Sequence, residues 1–256
     1  MSTIAPVVRR PSAGFIAVNT LMLWAATAIA ALALWPIYQD PQFIVLVAVT
    51  TVLGSIVAIL GALFRWKSFV VILAGFAVLL LAGVPLAVPG QAIAGVLPSL
   101  DGIRALLAGV ALGWKQLLTI ALPVGDYQAL LVPAFVLVLT STIVALTVAL
   151  RARWGELGVV PPVALFIVGI AFGPETVPWP VPWALGLLAV VLLWLIWRRW
   201  RKRRESIRTL TRATDPAITE AVVDSGFGVR NLVAGGVLLA VAAAASIGAA
   251  SVLPPT

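Results

Sequence analysis

The chain has 256 residues, of which 62% are apolar and 10% charged, with 17 Lys+Arg against 9 Asp+Glu. A soluble domain runs at about 45–50% apolar and about 25% charged, so neither a soluble globular fold nor a disordered chain fits. Cysteine and histidine are both absent, which excludes disulfides, thiolate nucleophiles, Cys-based metal sites, the commonest metal ligand and the usual general base.

A bilayer-crossing helix needs about 20 mostly apolar residues, because lipid offers no partner for backbone polar groups. The first such stretch is 14–38, after Arg9 and Arg10. It is longer than the roughly 7–15-residue apolar region of a signal peptide, and it is read as an uncleaved span. The second is 42–64 and the third 68–88. A longer segment, 89–127, follows, with Gly90, Gly95, Gly102, Gly109, Gly113 and Gly125. Within it Leu100, Ile103, Leu107 and Val110 recur at helical spacing, with Asp101, Arg104 and Ala108 elsewhere around the turn. This predicts a short amphipathic helix at the outer interface. Asp101 and Arg104 would each cost about 2.5–3.5 kcal/mol at the centre of a span, so the segment is not an eighth crossing. A re-entrant course stays open, as does the choice between a docking surface or lid and an ordinary packed connection.

The remaining spans are 128–150, 157–173, 181–197 and 231–253, and none of the seven contains Asp, Glu, Lys or Arg. Pro161-Pro162 falls in the first turn of the fifth, where proline is tolerated. Between the last two spans lies the basic segment 198–230. It opens with Arg198, Arg199, Arg201, Lys202, Arg203 and Arg204 around Trp200. Such a cluster beside a span fixes topology and contacts anionic lipid headgroups, at about 1 kcal/mol per basic residue near the surface. Nucleic acid is not an expected partner. Asp215-Pro216 reads as an N-cap and first helical position, opening a short helix to about Asp224.

With the N-terminus inside, 15 of the 17 basic residues fall on the inner side, and only Arg104 and Lys115 lie outside. This follows the positive-inside tendency and places the C-terminus outside. Trp35, Tyr38, Trp114, Tyr127, Trp179 and Trp183 then mark the outer boundary. Trp66, Trp154, Trp194, Trp197 and Trp200 mark the inner one, and only Trp24 sits deep in a span. The expected architecture is all-α: one transmembrane domain over 1–256, a multi-pass protein of the cell membrane with about seven helices. Close helix packing is expected at Gly169-x-x-x-Gly173, along Gly54, Ala58 and Ala62, and along Gly236, Ala240, Ala244 and Gly248.

No ionisable residue enters a span, so the usual mark of an ion or proton path is missing. Thr140-Ser141-Thr142 is the densest polar group, but three consecutive positions spread around a helix and make a poor substrate site. The outer carboxylates Asp40, Asp101, Asp126 and Glu175 lie on three different loops, and nothing in their spacing pairs them for acid/base work. No phosphate-binding glycine loop and no inverted repeat is evident. No catalytic, cofactor or metal residue is assigned, no cofactor is expected, and the chain is not read as an enzyme. The expected partners are the bilayer, with its anionic lipid, and other membrane proteins.

The stretch Gly113-Trp114-Lys115-Gln116-Leu117-Leu118-Thr119, followed by Pro123-Val124-Gly125 and by Leu130-Leu131-Val132-Pro133, resembles the membrane-embedded N-terminal region of bacterial transglutaminase-like proteins of the TgpA type. The order of basic N-terminus, three close spans, Gly-rich outer loop, further spans, basic segment and last span is also similar. The resemblance implies an outer transglutaminase-like domain with a papain-like fold and a Cys-His-Asp triad. No triad residue maps onto this sequence, so the chain is expected to be the non-catalytic part of a longer or split protein, anchoring and orienting that domain. The alternative is a small permease or transporter subunit for an apolar or lipid-like solute. The topology predicts that alkaline phosphatase fused after Thr256 is active and that a cytoplasmic reporter fused there is silent; the reverse pattern overturns it.

Overall fold

A computed structural model describes residues 12–119, 130–174 and 180–214, with the side chains of the last helix described to 204. The chain divides into two compact units, Met1–Pro178 and Trp179–Thr256. The architecture is an all-α membrane bundle. Among the described residues six helical segments are long and apolar enough to span: Ala13–Tyr38, Pro41–Leu63, Ser68–Ala87, Leu131–Arg151, Gly155–Phe172 and Val181–Arg204. The seventh expected span, 231–253, the helix expected from Asp215 and the small-residue row from Gly236 lie outside the described residues.

In the first unit, α1 (Ala13–Leu32) starts at the Ser12 cap, whose hydroxyl accepts from the Phe15 amide. The first span is not one helix, as its uniform hydropathy suggested. It breaks at Ala33-Leu34 and restarts as α2 (Trp35–Tyr38), with Pro36 in its first turn. Proline fits there because its missing N–H would have had no intrahelical partner. Asp40 then caps α3 (Pro41–Leu63), its Oδ1 accepting from the Gln42 amide at 3.0 Å. After α3 the chain reverses at Arg65, whose φ is +53°, while the Trp66 amide reaches back to Gly61 O. That six-to-one bond is the mark of a Schellman turn. It leads into α4 (Ser68–Ala87).

A small hairpin follows, with β1 (Ala92–Ile93) antiparallel to β2 (Leu97–Pro98). Its central turn residues Ala94 and Gly95 both have positive φ, +52° and +74°, as a type I′ turn requires. Ser99 joins the hairpin to α5 (Leu100–Thr119): its hydroxyl accepts from the Gly102 amide and donates to Gln91 O. Then come α6 (Leu131–Arg151), a 3-10 turn (Gly155–Val159) and α7 (Val160–Phe172), with Pro161 and Pro162 in the opening turn of α7. At about 2.0 Å per residue in the 3-10 turn and 1.5 Å in the helix, this short segment still reaches about 30 Å, the hydrocarbon thickness.

The centre of the unit is α6. It packs against α1, α3, α4, α5, α7 and the 3-10 turn, and Val132, Ala134, Phe135, Val138, Ala145 and Leu146 are fully enclosed. Gly54, Ala58 and Ala62 are all buried along α3. A Cβ on Gly54 would lie 3.2 Å from Thr142 Cβ on α6. On α7 only the first glycine of Gly169-x-x-x-Gly173 serves packing, since Gly173 is the helix C-cap. By contrast, Ile44, Val45, Val52 and Ile56 on α3, and Phe69, Ile72, Leu73 and Phe76 on α4, are exposed. Such a continuous apolar exterior suits lipid and not water.

In the second unit, α8 (Pro180–Thr214) runs without a break from the apolar segment through the whole basic cluster. The expected end of the sixth span at Trp197 is therefore no helix boundary. Arginine and lysine are good helix formers, and long basic side chains carry their charge to the interface while the backbone continues.

A Cβ on Gly169 would fall 2.8 Å from Ala33 Cβ and 3.1 Å from the Ala33 carbonyl carbon, whereas Gly14 has nothing within 4 Å. Gly169→Leu is expected to destabilise the bundle by about 1–3 kcal/mol, and Gly14→Ala by less than about 0.5 kcal/mol. Tryptophan-detected thermal unfolding in detergent measures both, and equal midpoints would remove the α1–α7 contact from the argument.

Candidate functional site

The six basic residues expected at the lipid surface, Arg198, Arg199, Arg201, Lys202, Arg203 and Arg204, all stand on α8. Helical geometry separates them into two sets. Side chains lean toward the helix N-terminus, so each residue covers the one four positions before it. The Arg198 guanidinium carbon thus lies 5.1 Å from the Trp194 ring centroid, that of Arg201 5.5 Å from Trp197, and that of Arg204 3.5 Å from Trp200. Each cation–π stack contributes about 0.5–1 kcal/mol at an exposed site, and more when desolvated. The other three, Arg199, Lys202 and Arg203, are exposed. One set braces the charges against indole rings at the depth where tryptophan settles, and the other presents charge to what lies beyond. The pairing was open to sequence reasoning: Trp at 194, 197 and 200 with Arg four residues after each is an (i, i+4) signal.

In the first unit, α5 is the second structured surface. Gly102, Leu106, Gly109, Gly113 and Leu117 are buried along it. The apolar set Leu100, Ile103, Leu107 and Val110 lies off that packed face: Leu100 and Leu107 are exposed and the other two half-exposed. Hydropathy marks the apolar stripe, but close packing selects the glycine stripe, where backbones can approach. A Cβ at Gly102 would lie 2.5 Å from Val84, one at Gly113 2.9 Å from Pro133, and one at Gly83 2.9 Å from Leu106. Trp114 meets Phe172 with ring centroids 6.2 Å apart. These partners are the last turns of α4 and α7 and the first turn of α6. A helix about 30 Å long therefore lies across the ends of three spans.

Polar side chains within the spans divide: some bond their own helix, while the hydroxyls of Thr20, Thr50, Ser141 and Thr147 are enclosed with no partner among the described residues. Thr51, Ser55 and Thr142 donate to the carbonyl four residues back, at 2.6–2.8 Å. Trp24, the deep tryptophan, donates its Nε1 to Ser55 Oγ at 2.7 Å and so links α1 to α3. Thr140-Ser141-Thr142 does spread around α6: Ser141 and Thr142 are buried, and Thr140 is exposed. Asp40 serves as a helix cap. Asp101 pairs with Arg104 at 3.0 Å on an exposed helix turn, a contact worth little in water. Asp126 and Glu175 lie outside the described residues.

Comparison with known proteins returns nothing: no family model, no curated protein and no solved structure matches the chain.

Replacing Arg199, Lys202 and Arg203 together by Gln is expected to weaken retention of phosphatidylglycerol by about fivefold per residue. Native mass spectrometry of the detergent-extracted protein reads this, and unchanged retention would remove the exposed set from lipid contact.

Proposed function

We propose that this chain is a membrane anchor and scaffold. Its α5 end faces the extracytoplasmic side and positions a transglutaminase-like catalytic domain that lies outside the 256 residues. The observation that carries the reading is the platform made by α5 across the ends of α4, α6 and α7. Its packed face is closed by glycines, and its opposite face offers exposed Leu100, Leu107 and Leu118 beside the exposed Arg104 and Lys115. A span bundle that only had to sit in lipid has no need of a rigid amphipathic helix laid over one end. The contact of Gly113 with Pro133 also supports the reading, since these residues bound the stretch that resembles the TgpA-type membrane region. The basic cluster on α8 supplies a further anchor, on anionic headgroups.

A photo-crosslinking residue at Leu112 or Leu118, activated in native membranes, is expected to capture a polypeptide bearing a Cys-His-Asp transglutaminase-like domain. One at Leu73, on the lipid-facing side of α4, is expected to capture none. Absence of that partner at both α5 positions, together with solute uptake by the isolated chain in liposomes, would overturn the anchor in favour of a permease.

A further inference from the structure

A groove of about 360 Å³ runs between α4 and α6, lined among others by Ile72, Phe76, Leu79, Ile143 and Val144. It owes its depth to Gly75, where a side chain would come within 3.1 Å of Ile143 Cδ1. The volume lies within the range of pockets that hold a small molecule, about 300–1,000 Å³. From Ser68 to Leu79 the groove extends for eleven residues of α4, about 16 Å. That is half of a hydrocarbon core about 30 Å thick, the depth of a single leaflet.

The two ends of the groove differ. Its inner end, at Leu79 and Leu139, is apolar but for the exposed Thr140. Its mouth lies where α4 begins and α6 ends, and the side chains there are polar. Ser68 is exposed, and Thr147 Oγ1 is enclosed with no hydrogen-bond partner among the described residues. Thr147 stands four residues before Arg151, about 6 Å deeper along α6. Around the mouth stand Lys67, Arg65, Arg151 and Arg153, all exposed. Arg151 donates to the Trp66 carbonyl, which ties the α3–α4 turn to the end of α6 and holds these cations together. Among the described residues of this end the only carboxylate is Glu156.

We propose that this groove is a binding site for one anionic glycerophospholipid of the leaflet at the basic end. One acyl chain lies along Gly75 between α4 and α6. The ester oxygens sit at the level of Thr147 and Ser68, and the phosphate is met by Lys67, Arg65 and Arg151. Length selects a single-leaflet acyl chain. Charge selects an anionic headgroup, because basic residues near the membrane surface attract anionic lipid. A second copy of the chain docked by the same face would bring two clusters of like charge together. The site is separate from the basic set on α8, and it does not depend on the anchor reading.

The full chain is reconstituted in vesicles of phosphatidylethanolamine and phosphatidylglycerol in a three-to-one ratio, doped with phosphatidylglycerol that carries a photoreactive acyl chain. Labelled peptides are expected to map to 68–79 and 139–148, with at least fivefold less labelling from phosphatidylcholine carrying the same chain. Lys67→Gln is expected to lower the label about fivefold, and Gly75→Leu, which fills the floor, to abolish it while the other lipid-facing helices keep their background. Equal labelling by the two lipids, or label spread evenly over the exposed helix faces, would overturn the site. So would a groove inaccessible to lipid because crosslinks from Thr140 run to residues 231–253 or to a second copy.

Discussion

In hydrocarbon no hydrophobic force draws two helices together, so the contact between α3 and α6 rests on atoms meeting atoms. Gly54 makes that contact possible. It stands against Thr142 so closely that a side chain there would press on both Cβ and Cγ2. The hydroxyl of Thr142 is turned back to Val138 O and costs nothing to bury. Once α3 and α6 lie side by side, α4 packs against both of them, and α1 and α7 close the other flank through Ala33 and Gly169. The bundle is thus built outward from α6, the most enclosed of its spans.

The two ends of this first unit are finished by different physics. At one end the chain folds back on itself through local devices: the Asp40 cap, the type I′ hairpin turn, the Ser99 link and the glycine face of α5. Large side chains fill the space beneath, with Tyr38 stacked on Phe43 at 5.0 Å and Phe135 fully enclosed. At the other end a single turn through Arg65 is held by Arg151, and the charges stay exposed. One end of the unit is thus a closed platform and the other an open basic rim. In the Trp–Arg stacks on α8, indole rings fix the depth at which the guanidinium groups emerge.

The chemistry-bearing residues divide accordingly. The two described carboxylates of the α5 end are used in a helix cap and a surface pair, and among the span hydroxyls Thr51, Ser55 and Thr142 bond their own helices while Thr20, Thr50, Ser141 and Thr147 are enclosed without a partner among the described residues. What remains available for recognition is surface: the exposed face of α5, the exposed basic set of α8 and the groove beside Gly75. Each is defined by which side chains are missing as much as by which are present.

The sequence by itself determined the membrane class, the positions of the described spans and the location of the basic cluster. These follow from composition and from charges that hydrocarbon excludes, and such terms act on each segment separately. It did not determine which face of α5 packs, because hydropathy scores leucine above glycine, whereas close helix contact favours the residue without a side chain. It did not show the break at Ala33-Leu34, where hydropathy is unchanged, nor the unbroken run of α8 through its arginines. It also did not show the groove, which exists because Gly75 on α4 comes opposite Ile143 on α6, a meeting of residues 68 positions apart. Tertiary structure decided these points, because packing depends on the shape of two surfaces together while the solvent preference of a segment depends on that segment alone.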